Sequence, residues 1–247
     1  AGDARGGWAG GGNGAGGQGT AGTVTASGTQ SRGGLSFNTT GYTLTGGTLS
    51  DAAGAGEPIT VESGLSATMT TLISGSNPVS KEGAGTLNIN AENTGLTGAF
   101  TVNAGTVVIG PNAAAGSVIP GAYTVNSGAT LEMTKRNIWA VPTSTSSAVI
   151  TVNGGTLKAT NSSNTMFNPV FTNATLISNG GHPALSVLGT FTLQGTVTVS
   201  GTTVVQQLSA FQPWIAIGNG SVPGSTTFNV TDGSFTVGVP IYNMGTG

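Results

Sequence analysis

Three stretches of this chain, "TVNAGTVVI" from Thr101, "TVNSGATLE" from Thr124 and "TVNGGTLKA" from Thr151, share one pattern. Thr-Val-Asn-x-Gly is followed by a run in which an apolar residue takes every second place. The copies are 23 and 27 residues apart, and weaker ones begin at Thr43, Thr60 and Asn229. Self-similarity at about 20–50 residues marks a solenoid or a propeller, in which one supersecondary unit stacks on its neighbours. A propeller blade needs four strands in ~40–45 residues, whereas a β-helix coil needs about half that length. The spacing therefore predicts a β-helix.

The rest of the chain agrees with that period. "YTLTGGTL", "GTLNIN", "FTLQGTVTVSG" and "FNVTDGSFTVG" each alternate β-branched or aromatic residues with polar ones between Gly, Asn, Asp or Pro, which is the signature of strand and turn. The strong helix formers Lys, Glu, Arg and Gln are scarce, and charged residues make up 6% of the chain, against roughly 25% in an ordinary soluble domain. The expected class is all-β, a single-stranded parallel β-helix.

Within the repeat, each residue type has a physical reason. Gly, and less often Asn, accepts the left-handed backbone of a tight corner at little cost, so Gly105, Gly128 and Gly155 are expected to turn the chain from one strand to the next. Asn103, Asn126 and Asn153 then fall at matching corners, where side-chain amides can hydrogen-bond from coil to coil. The expectation for these asparagines is a structural ladder, ahead of a binding role. Inward Val, Leu and Ile should stack on their equivalents, and outward Thr and Ser likewise.

Composition divides the chain in two. Residues 1–22, "AGDARGGWAGGGNGAGGQGTAG", are half glycine and are expected to form a tail, acting either as a cap on the first coil or as an intersubunit arm anchored by Trp8. Residues 23–247 are expected to form the β-helix domain. At the far end, "GSFTVGVPIYNM" is apolar and nearly uncharged. A β-helix whose last coil is not covered exposes strand edges that template further strands, so head-to-tail stacking is expected; a heterologous contact of that kind, when it does not close, builds a filament.

The stretch "KEGAGTLNINAENTGLTGAFTVNAGTVVIG" resembles the passenger-associated repeat of bacterial autotransporters, also called the autotransporter-associated β-strand repeat. Lys81, Gly83, Gly85, Thr86 and Leu87 match its first part, Asn93, Thr94 and Gly98 its second, and Thr101, Val102, Asn103, Gly105 and Thr106 its third. With "GGLSFNTTGYTLTGGTLS" upstream and the later repeats, the resemblance extends over roughly residues 30–160. It implies a right-handed parallel β-helix exported to the cell surface or beyond, of the kind that serves as an adhesin, an aggregation factor or a passive stalk. The start at Ala1, without Met or a hydrophobic leader, fits a product processed by removal of a signal peptide. The membrane β-barrel that closes a complete autotransporter has no counterpart in "VPIYNMGTG".

Reactive side chains are few. The formal charge is −2 and no basic cluster exceeds Lys135-Arg136, so a nucleic-acid surface is not expected. No apolar run approaches the ~20 residues of a membrane helix, and membrane insertion is not expected either. Cysteine is absent and His182 is the single histidine, which removes thiolate and His-rich metal sites and leaves His182 read as a turn residue before Pro183. Glu62, Glu82 and Glu132 could in principle form a hydrolytic pair, yet nothing in their spacing selects them. Sequons stand at Asn38, Asn161, Asn173, Asn219 and Asn229. Tyr123, Trp139 and Trp214 could stack on sugars, although such residues more often fill coil ends or contacts.

Neither a catalytic residue, a metal nor a cofactor is therefore expected. The sequence points to a secreted, non-enzymatic structural β-solenoid that associates with itself head-to-tail into an extracellular fibre or surface layer. The alternative is an adhesin module that binds glycans or neighbouring cells through Asn, Thr and aromatic residues.

Overall fold

The computed structural model describes residues 14–16, 21–51, 57–110, 121–136, 138, 149–180, 191–208, 214–218 and 226–243. These residues are strand, turn or irregular, with no helix among them. Successive strands run around a three-sided coil, and each pairs in parallel with its equivalents in the coils before and after. The protein is a parallel β-helix.

Its first face is a ten-stranded sheet that starts at Gly14–Gly16 and Leu35–Phe37, passes through Val79–Glu82, Phe100–Val102, Tyr123–Asn126 and Ile150–Asn153, and ends at Thr227–Val230. The second face, also ten-stranded, runs from Thr23–Thr25 through Thr86–Ile89, Thr106–Ile109, Thr130–Met133 and Thr156–Thr160 to Ser234–Val237. Three residues of the glycine-rich stretch thus add a strand to the helix, with Gly14 level with Leu35 and Gly16 with Phe37.

Alternation decides which side chains enter. On the first face Ile59, Lys81, Val102, Val125, Val152, Phe171 and Val199 form one inward column; on the second, Leu87, Val107, Leu131, Leu157, Leu176 and Val205 form another. All are buried. Burial of each Val, Leu or Ile stabilises by ~1.5–3 kcal/mol, and the ladder satisfies the backbone groups that this burial removes from water. Outward residues stack in the same register: Thr86, Thr106, Thr130, Thr156 and Thr175 occupy five successive coils.

Register also corrects two of the weaker sequence copies. Thr43 lies in Tyr42–Thr45 on the second face, level with Thr68, so "TLTGG" turns a different corner from "TVNAG". Thr60 is level with Glu82, the residue below Asn103, which shifts "TVESG" by two places. The copy at Asn229 sits in the Thr151 column as aligned.

The third side is less regular. Thr29–Arg32, Thr48–Asp51 and Leu72–Ser74 form a short sheet toward the N-terminal end, and Asn164–Phe167, Phe191–Gln194, Ile215–Ile217 and Ile241–Asn243 form one toward the C-terminal end. At the margins of the two sheets, side-chain amides take over from backbone. Asn93, buried, accepts the Ile73 N–H at 2.6 Å, and Asn164, also buried, accepts the Ile138 N–H at 3.0 Å and donates to the Lys135 carbonyl at 3.1 Å.

Candidate functional site: the corners and the terminal coil

The corner between the first and second faces holds the residues that the repeat singled out. Asn103 Nδ2 donates to Glu82 Oε1 at 2.5 Å, and Asn126 Nδ2 donates to Asn103 Oδ1 at 2.6 Å. Amides from two successive coils thus form a directed chain that ends on a carboxylate. Asn153 is level with Asn126 in the backbone ladder, but its side chain is exposed. Gly105 and Gly128 have φ of 66° and 77°, the left-handed conformation that glycine adopts without penalty. In the next copy the left-handed residue is Gly154, with φ 74°, and Gly155 serves a different purpose. A Cβ on Gly155 would stand 2.7 Å from both the Asn126 carbonyl oxygen and Val125 Cγ1, so close approach of two coils, and not a positive φ, requires glycine there.

Under the same corner lies Lys81. Alternation turns it inward, in the column of Ile59 and Val102, and it is fully buried. Its Nζ donates to the carbonyls of Glu82 at 2.8 Å, Gly83 at 2.7 Å and Ala104 at 3.2 Å. One ammonium thereby spends its three donors on two coils. Burial lowers its pKa from 10.5 to about 8, and the neighbouring Glu82 carboxylate opposes that shift.

Two other groups of residues carry no signal in the repeat pattern. Asn161, Asn168 and Asn173 adopt positive φ near 50°, and the Oδ1 atoms of Asn168 and Asn173 accept the N–H groups of Thr196 at 2.7 Å and Thr202 at 3.0 Å in the following coil. Asparagine tolerates the left-handed region and can bond locally, so it replaces glycine at these corners. Arg32, fully buried, pairs with Asp51 at 2.7 Å, and Asp51 Oδ2 also accepts the Asn77 N–H at 3.1 Å. Nothing in the period of two distinguishes such inward charges from outward ones.

Glu82 ends the asparagine chain on the first face; Glu132, on the second, accepts from Thr160 at 2.7 Å and pairs with Lys158 at 3.1 Å; Glu62 is exposed at a corner. Among the described residues no three His, Cys, Asp or Glu side chains group as a metal site, and no helix is long and apolar enough to cross a membrane. Tyr123, a candidate for stacking on sugars, is instead fully buried with its ring 6.1 Å from that of Phe100, because the alternation that places Thr124 outward turns Tyr123 inward. Trp214 is partly buried. The sequons at Asn38, Asn161, Asn173 and Asn229 are exposed. Trp8, Trp139, His182 and Asn219 lie outside the described residues.

The last coil differs from those inside the stack. Val230 continues the buried column of Val199, yet it is 44% exposed; Ile241 continues the column of Ile215 and is 53% exposed. Phe228 and Phe235, from the first and second faces, stack on each other with centroids 5.4 Å apart and are only partly buried. Among the described residues of this coil, Val230 and Ile241 are thus more exposed than their equivalents in the coils before, while Val239 stays buried.

Comparison of the chain with protein-family models, with curated proteins and with solved structures found no match.

Proposed function

We propose that this chain is a non-enzymatic structural β-solenoid that associates with its own copies through the ends of the helix, forming an extracellular fibre or surface layer. The observation that carries the reading is the terminal coil, where Val230, Ile241 and Tyr242 are about half exposed in positions continuous with the core and with open strand edges. Exposed edges of this kind recruit further strands. The flanks, in contrast, carry stacked neutral side chains and few charges. Export to the cell surface rests on the resemblance of residues 81–110 to the autotransporter repeat.

The adhesin reading depends on aromatic side chains laid along a flank. It turns on Trp139 and Trp214 sharing an exposed groove; Trp214 is partly buried, Tyr123 lies in the core, and Trp139 lies outside the described residues. Electron microscopy of the purified chain, with its mass measured by sedimentation, tests the proposal. Fibres or end-to-end oligomers of the 24.0 kDa chain are the expected result, and a species that stays monomeric at every concentration refutes it.

A further inference from the structure

We infer that the second face of the helix binds ice through a lattice of threonine side chains, a function separate from the proposed self-association. The first three described strands of this face carry one motif, Thr-x-Thr, as Thr23-Val24-Thr25, Thr43-Leu44-Thr45 and Thr68-Met69-Thr70. The ladder sets these copies level. Thr23 stands beside Thr43 and Thr43 beside Thr68, while Thr25 stands beside Thr45; the Thr70 N–H reaches the Leu44 carbonyl at 2.8 Å and carries that second column on. Val24, Leu44 and Met69, the residues between, pack into the core. The threonines therefore point outward, and none of them is buried. Two places earlier along the strands, the column that begins at Thr86 continues the array as far as Thr175.

Backbone geometry sets the spacing of this lattice. Neighbouring strands lie about 4.7–4.9 Å apart, and residues i and i+2 of one strand lie about 6.6 Å apart. The oxygen lattice of ordinary ice contains a near-rectangular plane whose two repeats are close to these. Threonine suits each node: its hydroxyl donates one hydrogen bond and accepts others, as a water molecule of the lattice does. Branching at Cβ also restricts χ1, so little side-chain freedom is lost when the array meets an ordered surface.

Two further observations separate this face from the rest of the molecule. First, its hydroxyls are uncommitted. Among the described residues the side chains of Thr23, Thr25, Thr43, Thr45 and Thr68 make no hydrogen bond, and that of Thr70 makes a long one, 3.4 Å, to the Leu44 carbonyl. On the first face, in contrast, the column of Thr101, Thr124 and Thr151 stands beside amides already bonded to one another and to Glu82. Second, the face is neutral. Its strands from Thr23–Thr25 to Thr106–Ile109 contain no charged residue, whereas Lys81 and Glu82 lie on the first face and Arg32 and Asp51 on the third side. An ionised group would orient water around itself and oppose the lattice. Tyr42, the one aromatic residue of those strands, is buried, so the face lacks the outward ring on which a sugar chain would stack.

Partition into slowly growing ice tests the inference on the 247-residue chain. The unsubstituted chain should be taken up into the ice and should shape single crystals seen under the microscope. Thr43→Lys with Thr68→Lys, which places two charges in the middle of the array, should lose that uptake and stay in the liquid. Thr124→Lys, at an outward position of the first face, should enter the ice as the unsubstituted chain does. Exclusion of the unsubstituted chain from ice overturns the inference, and binding to insoluble cellulose or chitin in its place would assign the face to a polysaccharide. Uptake that survives the double substitution, or that Thr124→Lys removes equally, also overturns it. If circular dichroism shows that the double variant does not fold, Thr25→Lys decides, because Thr25 is exposed in the same array: its uptake must fall, and unchanged uptake refutes the assignment. Sedimentation of the same samples keeps the two readings apart, since a monomer that enters ice upholds this inference while it refutes self-association.

Discussion

Lys81 shows how one residue can stand against its surroundings and still fit them. A polar side chain at an inward position ordinarily destabilises, but here three carbonyls from two coils receive it. Lys81→Met would leave those carbonyls without their donor, at a loss of about 1–3 kcal/mol at neutral pH, measurable as a lower urea midpoint. The lowered pKa gives a second expectation. Its folded value of about 8 lies below the unfolded 10.5, so between those values the unfolded chain binds more protons and stability rises with pH, by at most about 1.4 kcal/mol per unit. The urea midpoint of the unsubstituted chain should increase from pH 8 to 10, and that of Lys81→Met should not. A falling midpoint would mean that the neutral amine, with too few donors for three carbonyls, is the poorer occupant.

At the scale of the element, corners separate two reasons for glycine. Gly128, with φ 77°, has open space on the side where a Cβ would stand, with no atom within 4 Å, so Gly128→Ala meets only the left-handed penalty, about 1 kcal/mol. Gly105, with φ 66°, lies over its neighbour: a Cβ there would press on the Gly85 carbonyl oxygen and stand 2.7 Å from the Ala84 carbonyl carbon. Those are backbone atoms, which cannot swing aside. Gly105→Ala is expected to lose a further ~1–3 kcal/mol from overpacking, and thermal unfolding of the pair should rank them in that order. Equal losses would show that the coils part easily at this corner.

The corners also show what was legible in sequence. Thr-Val-Asn-x-Gly placed Asn103 and Asn126 at one corner because a period of two, broken by a residue free to take positive φ, leaves the chain few alternatives. It misplaced the left-handed residue of "TVNGG", where Gly154 and Gly155 both follow Asn153 and only the coil below distinguishes them. It missed Asn168 and Asn173 because their partners, Thr196 and Thr202, are 28 and 29 residues away. The inward charges at Lys81 and Arg32 were hidden because a period of two does not tell an inward charge from an outward one.

Across the whole molecule, each coil touches only its neighbours, so stability is close to a sum of coil and interface terms. Coils with two neighbours should open last. Amide exchange should therefore be slowest around Val107, Leu131 and Leu157 and fastest in Thr227–Asn243, which stand at the edge of the described sheets. Uniform protection along the chain would contradict this independence of the coils.

By itself, the sequence determined the all-β class, the coil and its principal corner, because these follow from local alternation and from the residues that accept a turn. Tertiary structure alone decided which outward residues bond across coils and which charges are buried. The reason is distance along the chain: every coil-to-coil contact joins residues about twenty or more places apart, and only the winding of the helix brings them level.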